Sequence, residues 1–280
     1  MKQYPSIPRL EDAPEEVFES GHLWLLEKID GTQLRFQLHD SGLIRFGDRN
    51  RVYDDPDAIP ASLEHAVRHV RERLDRDALR RAVDDPESVV FFGEATTHQA
   101  IEYDWERLPS FLGFDVWSAE SGSFRPPGAV QAIFDRLGLE AVNAIEKERN
   151  TRDFDPESFA VPQSAWYDGP AAGVVIRNKR GGRAKLRNPE IQDREVVEPR
   201  DVSAESIAST HATEERFERL VETLRARDTG VTFDTLYDRA VVDIARETHH
   251  PFDEESSIDL AALRSAVAAR TLAFLDSELE

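Results

Sequence analysis

Between His22 and Phe46 apolar and polar positions alternate along the chain. In TQLRFQL, Leu34, Phe36 and Leu38 fall on one face and Gln33, Arg35 and Gln37 on the other, the pattern of a half-buried strand. A turn at Asp40-Ser41-Gly42 returns the chain as LIRF, so strands and a hairpin are expected here. The period then changes. From Ala61 to Val83, Leu63, Val67, Val70 and Leu74 recur at helical spacing amid charge, which predicts a surface amphipathic helix. Two short runs rich in β-formers, VVFFGE (89–94) and FLGFDVW (111–117), read as buried strands. PPGAVQAIFDRLGL opens with prolines suited to a first helical turn and sets Val130, Ile133, Phe134 and Leu137 on one stripe, while GVVIRN (173–178) and AKLR (184–187) flank a Gly-Gly turn as a hairpin.

After about residue 200 the character shifts. EPRDVSAES reads as a linker with a capping residue. Beyond it Phe217, Leu220, Val221 and Leu224, then Leu236, Ala240, Val241 and Ile244, then Leu260, Leu263 and Val267 keep helical period to the end. The expected organisation is an α+β domain of antiparallel sheets with flanking helices over residues 1–202 and a small all-α domain over residues 203–280. There is no internal repeat and no low-complexity tract.

Charge sharpens this picture. The 280 residues carry 55 acidic and 35 basic side chains, a net charge of -20, and the only lysines are Lys2, Lys28, Lys147, Lys179 and Lys185. Such a bias is that of a salt-adapted cytosolic protein. It does not exclude a nucleic-acid partner, because near 1 M salt the Debye length falls to about 3 Å and only local contacts matter. With no cysteine, chemistry falls to Lys, His, carboxylates or hydroxyls. No apolar run approaches the roughly 20 residues of a membrane span and no signal-peptide pattern opens the chain, so a soluble, cytoplasmic protein without a membrane partner is expected. Neither a Walker A loop nor a Gly-rich dinucleotide fingerprint occurs.

Where lysine is scarce, its placement is informative. Lys28 stands in the apolar run LLEKIDGTQLRF, two residues before Asp30-Gly31. Alone, Lys-x-Asp-Gly describes an edge lysine at a hairpin turn equally well. Its company is more specific: EKIDGT (27–32), DRNRV (48–52), FFGEA (91–95), FLGFDVW (111–117), AGVVIRN (172–178) and AKLRNPE (184–190) follow in order. For an amine to attack the α-phosphorus of a nucleotide it must be neutral, which neighbouring cations and partial burial promote. A strand-end carboxylate such as Glu94 has the type to accept from a ribose hydroxyl or hold a metal. RNKRGGRAKLR, Arg177 to Arg187, carries six basic residues and no acid, and in so acidic a chain it reads as a phosphate-binding segment.

In order and approximate spacing these stretches resemble the nucleotidyltransferase motifs of ATP-dependent ligases, most of all the RNA ligases, over roughly residues 20–200. The resemblance implies the ATP-grasp-like adenylation domain shared by DNA and RNA ligases. It implies Lys28 as the nucleophile that takes AMP from ATP, with Lys185 on the α-phosphate and Arg187 where the family has a second lysine. Around the nucleotide it implies Glu27 beside adenine, Asp30 and Gly31 in the lysine motif, Arg49 on the nucleotide or a 5'-phosphate end (Arg51 if the register slips), Glu94, and Phe114 stacked on the base. Glu94 and Asp115 are the implied ligands of Mg²⁺ or Mn²⁺, and RNA 5'-phosphate and 3'-hydroxyl ends the implied partners.

One departure stands out: the family has Glu before Gly-Val-Val, and this chain has Ala172. Mg²⁺ needs one or two carboxylates plus substrate phosphates, so Glu94, Asp115 or Asp168 remains to hold it. An RNA ligase is therefore one reading. A pseudo-ligase that binds RNA ends or nucleotide without turnover is another, and a capping-type transferase or DNA ligase a third, disfavoured by helices where an oligonucleotide-binding barrel would follow. His65 and His69 share a helical face but lack a third ligand, and with the pair in THHPF (248–252) they are expected to be incidental solvent-exposed histidines.

Overall fold

The computed structural model describes residues 1–156, 158–192, 203–248 and 259–277. By its internal contacts the chain divides into two compact units, Met1–Ile59 with Ala66–Glu195, and Pro60–His65 with Val196–Glu280. The first unit holds two antiparallel sheets. The smaller has the order β10-β9-β1-β8, from β1 (His22–Glu27), β8 (Ala144–Asn150), β9 (Gly173–Asn178) and β10 (Arg183–Arg187). The larger has the order β4-β3-β2-β5-β6-β7, from β2 (Thr32–Leu38), β3 (Ile44–Gly47), β4 (Val52–Tyr53), β5 (Val89–Ala95), β6 (Phe111–Ser118) and β7 (Ser123–Phe124).

Both faces of β1 are buried, which is why HLWLLE is continuously apolar rather than alternating. Leu23 and Leu25 pack with Val174, Ile176 and Ala184 of the neighbouring strands. Trp24 and Leu26 face the other way and pack with Leu112 of β6, so one apolar cluster joins the two sheets. In the larger sheet Leu34, Phe36 and Leu38 are fully buried, and Phe36 stacks on Phe91 at 4.8 Å between centroids. Helix α3 (Pro127–Arg136) covers this layer with Phe134; a Cβ at position 113 would come within 2.3 Å of its ring, so Gly113 is what lets the helix seat.

Three features differ from the pattern expected. The long helix is two helices, α1 (Ala61–Arg73) and α2 (Arg76–Ala82). Asp75 breaks it by accepting the Ala78 N–H at 2.7 Å as an N-cap while its own N–H reaches Leu137 O at 2.9 Å. Strand β8, AIEKERN, is a charged edge strand with no apolar period to betray it. Arg35, on the supposedly polar face of β2, is 1% exposed.

A short helix α4 (Pro189–Gln192) follows β10. The helical unit contains α5 (Ala204–His211), α6 (Glu214–Arg225), α7 (Phe233–Glu247) and α8 (Leu260–Ser277). Ser203, Thr213 and Thr232 cap α5, α6 and α7 through their hydroxyls, and Ile207, Phe217, Leu224, Leu236, Ile244 and Leu263 form its core. Most of the linker EPRDVSAES, and His249 and His250, lie outside the described residues. No helix among the described residues is long and apolar enough to cross a membrane. Truncating Phe36 to Ala is expected to cost about 3–5 kcal/mol in a denaturant titration, because its ring sits at the centre of the aromatic layer.

Candidate active site

The two sheets meet at the segment between β1 and β2, which is Lys28-Ile29-Asp30-Gly31. Each end of this crossover is fixed. Lys28 N–H donates to Gly173 O at 3.0 Å on the small sheet. Asp30 N–H donates to the Tyr103 hydroxyl at 2.9 Å, and the Asp30 carboxylate accepts the Ala100 N–H at 2.8 Å. Gly31 runs so close to β5 that a Cβ there would lie 2.4 Å from Ala95 O, so no other residue fits without moving the strand. Asp30 thus acts on the crossover and does not line the cleft.

Above the crossover lies a cleft of about 380 Å³, lined by Glu27, Lys28, Gly31, Arg49, Glu94, Phe114, Lys185 and Arg187 among others. Residues spread over 160 positions of sequence are brought together here, since Lys28 and Arg187 are 159 apart and both line it. Lys28 is half-buried and its Nζ donates to Ile29 O at 2.9 Å. Burial, then Arg187, Arg49, Lys28 and Arg9, holds the Lys185 amine below the ordinary lysine range, the mark of a cationic cluster. Glu94 faces this cluster with its carboxyl pushed up to about 7, chiefly by burial and also by Asp30, against the pull of Lys28 and Arg49. Phe114 lines the wall with the Tyr4 ring edge-on at 5.0 Å. Glu27 is 2% exposed; its carboxylate accepts from Ser164 Oγ at 2.6 Å, Asn143 Nδ2 at 3.1 Å and Ala165 N–H at 3.2 Å.

With that geometry in hand, the sequence profile described as RNA ligase matches residues 21–188, which is more than half of the chain and spans every cleft residue named so far except Tyr4. The chain belongs to the RNA ligase family. Its fold is that of solved RNA ligase structures from Naegleria gruberi. The pyrophosphate complex superposes with a TM-score of 0.54 at 16% identity, covering 70% of this chain and 58% of that one. A lysine-to-alanine mutant with ATP and manganese gives 0.53 at 15%, covering 68% and 57%. A glutamate-to-alanine mutant with AMP and manganese gives 0.53 at 15%, covering 69% and 57%. The chain therefore spans little more than half the length of those structures. No curated protein sequence matches it.

Within this family member several expectations change. Asp115 lies outside the cleft lining with its oxygens filled: it is fully buried, Oδ1 accepts from Arg177 Nη2 and Val116 N–H at 3.0 and 2.9 Å, and Oδ2 accepts from Arg183 Nη2 and Tyr4 Oη at 2.6 and 2.9 Å. The basic segment is likewise divided. Arg177 and Arg183 neutralise Asp115, Lys179 pairs with Glu148 at 2.7 Å, Arg180 donates to Ser20, and Lys185 and Arg187 line the cleft. Of the two candidate arginines Arg49 lines the cleft, while Arg51 lies outside it with its side chain 74% exposed beside Asp48. Ala172 is buried in the apolar cluster with Trp24 and Leu26, and Asp168 is exposed away from the cleft. The helix histidines are not solvent-exposed: His65 is 3% exposed, and His69 hydrogen-bonds Glu140 at 3.2 Å.

Sequence reasoning missed the N-terminal segment. Tyr4, Pro5 and Ile7 line the cleft, yet YPSIPR has neither period nor motif to announce it. Buried Arg35 holds this segment by donating to Lys2 O at 2.7 Å, and reaches Arg51 O at 3.4 Å in the loop that carries Arg49. A buried guanidinium needs such partners, and their identity is invisible in sequence.

For Glu94 the linkage has a definite sign. Its folded value of about 7 lies above the ordinary 4.5, so its ionisation costs stability as pH rises through that window and the cost is complete above it. Glu94→Gln is expected to match wild type near pH 4.5 and to exceed it by about 1–2 kcal/mol at pH 8, allowing for solvent screening. Thermal melts across that range check this; a variant less stable at pH 8 contradicts the placement of Glu94 among desolvating neighbours.

Proposed function

We propose that this chain is an ATP-dependent RNA ligase. The observation that carries the reading is the convergence of Lys28 with Arg49, Lys185 and Arg187 in one cleft beside Glu94 and an aromatic wall. In a first step Lys28 Nζ attacks the α-phosphorus of ATP, the bond to the β-phosphate oxygen breaks, and pyrophosphate leaves a lysyl-AMP phosphoamide. In a second, an RNA 5'-phosphate oxygen displaces the lysine and takes the AMP. In a third, an RNA 3'-hydroxyl attacks that 5'-phosphate, forming the phosphodiester and releasing AMP.

All three steps are phosphoryl-type transfers, governed by alignment and charge neutralisation rather than by an acid-base dyad. The crossover geometry sets the lysine at the cleft floor. Arg49, Lys185 and Arg187 neutralise the phosphates, and their mutual repulsion is relieved by the bound anion. Phe114, buttressed by Tyr4, offers a face to the adenine ring, and Glu27, held by Ser164 and Asn143, lies at the base edge.

No group of three or more His, Asp or Glu side chains forms a metal site among the described residues. Glu94, the cleft carboxylate without a protein hydrogen bond among them, fits Mg²⁺ or Mn²⁺, which takes one or two carboxylates and completes its shell with phosphates and water. Such an ion would supply charge neutralisation at the phosphates. The ATP and manganese in the Naegleria gruberi complexes support the same choice of substrate and ion. We assign the nucleotidyltransferase chemistry to residues 1–202 and a helical domain that assists RNA docking to residues 203–280. The acidic, lysine-poor composition is consistent with a cytoplasm of high salt, and a role in RNA repair follows from end joining.

Joining of a 5'-phosphorylated RNA, followed on a denaturing gel, tests this. Wild type is expected to seal with ATP, and Lys28→Ala to lose sealing by at least about a thousandfold while still joining RNA that is already adenylylated, because the lysine serves only the first two steps. Wild type that binds RNA ends and ATP but never seals, in any divalent metal, would instead establish the pseudo-ligase reading.

A further inference from the structure

The hairpin of β3 and β4 has two ends. At one, the loop after Gly47 delivers Arg49 to the cleft. At the other, Leu43, Ile44 and Asp54 border a second cavity of about 560 Å³, closed by Arg71 of α1 and Arg76 of α2. The cation inventory of this cavity is uneven. His39 is engaged by Glu87 at 2.8 Å and Arg45 by Asp54. Arg71 and Arg76 have no carboxylate partner among the described residues, a notable arrangement in a chain of net charge -20.

Both arginines are nevertheless held in place. The Arg71 guanidinium lies 5.5 Å over the Phe46 ring, which fixes its plane without neutralising it. Arg76 Nη2 donates to Arg71 O at 3.1 Å, and its Nε is buried with no hydrogen-bond partner. A buried guanidinium N–H left unmatched is a donor awaiting an acceptor. On the cavity's rim Leu43 is 72% exposed, an apolar side chain open to a ribose or base.

We propose that this cavity is a second phosphodiester site, gripping the RNA strand a few nucleotides from the end held in the cleft. The inference rests on the RNA ligase reading for its occupant. Strand β3 and the short loop after it carry the chain from this cavity to Arg49, five residues that reach at most about 16 Å at roughly 3.3 Å each, a span of a few nucleotides of single strand. One hairpin, β3 with β4, therefore borders both cationic sites. Paired guanidiniums suit phosphate oxygens bidentately, and the missing counter-carboxylates leave them free to do so.

The experiment measures the affinity of a fluorescent, 5'-phosphorylated single-stranded RNA of about 20 nucleotides across a salt series, alongside transfer of label from ATP to the protein. Arg71→Gln with Arg76→Gln is expected to weaken RNA binding about tenfold and to reduce the slope of log affinity against log salt by about 1, with label transfer unchanged. Because that double variant disturbs packing on Phe46, the exposed position supplies a second reading: Leu43→Lys tightens RNA binding and Leu43→Glu weakens it. RNA affinity and salt slope indifferent to all of these overturn the second site. Absence of label transfer from wild type contradicts the ligase reading instead, and the RNA affinities still decide the site.

Discussion

The cleft depends on one backbone constraint, the passage of the chain from the small sheet to the large one through Lys28 to Gly31. A hydrogen bond to Gly173 O holds the first residue, Tyr103 and Ala100 hold the third, and the fourth is pressed against Ala95 O. Lysine is a flexible side chain, and a nucleophile on a mobile loop would sample many positions. Anchored at both ends of a four-residue crossover, its Cα has one position relative to both sheets. What looks in sequence like a charged residue misplaced in an apolar run is a residue at the seam of two sheets, with β1 ending just before it and β2 starting four residues after it.

A second principle is the division of the cations into those that build and those that bind. Arg177 and Arg35 are buried and Arg183 is largely covered; Arg177 and Arg183 are committed to Asp115 and Arg35 to backbone carbonyls. Breaking such a buried pair costs far more than losing an exposed one, so these are structural charges even where they border the cleft. Arg49, Lys185 and Arg187 have no such commitments among the described residues and line the cleft. The depressed Lys185 amine and the raised Glu94 carboxyl have related causes, desolvation together with crowding by like charge, and they line the same space. An entering triphosphate with its metal ion would relieve both.

Much of this was legible in the sequence, for physical reasons. The strands β2, β5, β6, β9 and β10 bury one or both faces, so their periods or apolar runs survive in the residue pattern. The cleft residues lie in short motifs because each is carried on a strand or beside one. What escaped was whatever depended on partners remote in sequence. Asp115 and Arg183 meet across 68 residues, Arg35 finds Lys2 across 33, and charged β8 is a strand only because β1 offers it an edge. At Asp115 an acid next to a cleft aromatic looks the same in sequence whether its oxygens are free or, as here, filled by protein partners. His65 was misjudged because helix periodicity marks the main buried stripe and not its margins.

The most direct test of the account is the mass and position of the covalent adduct. After incubation with ATP and Mg²⁺ or Mn²⁺, the intact protein should gain one AMP. Peptide mapping should place it on Lys28, with none on Lys185, although Lys185 lines the same cleft and has an amine held below the ordinary lysine range. An adduct on Lys185, or one that persists in Lys28→Ala, would contradict the claim that the crossover between the sheets is what selects the nucleophile.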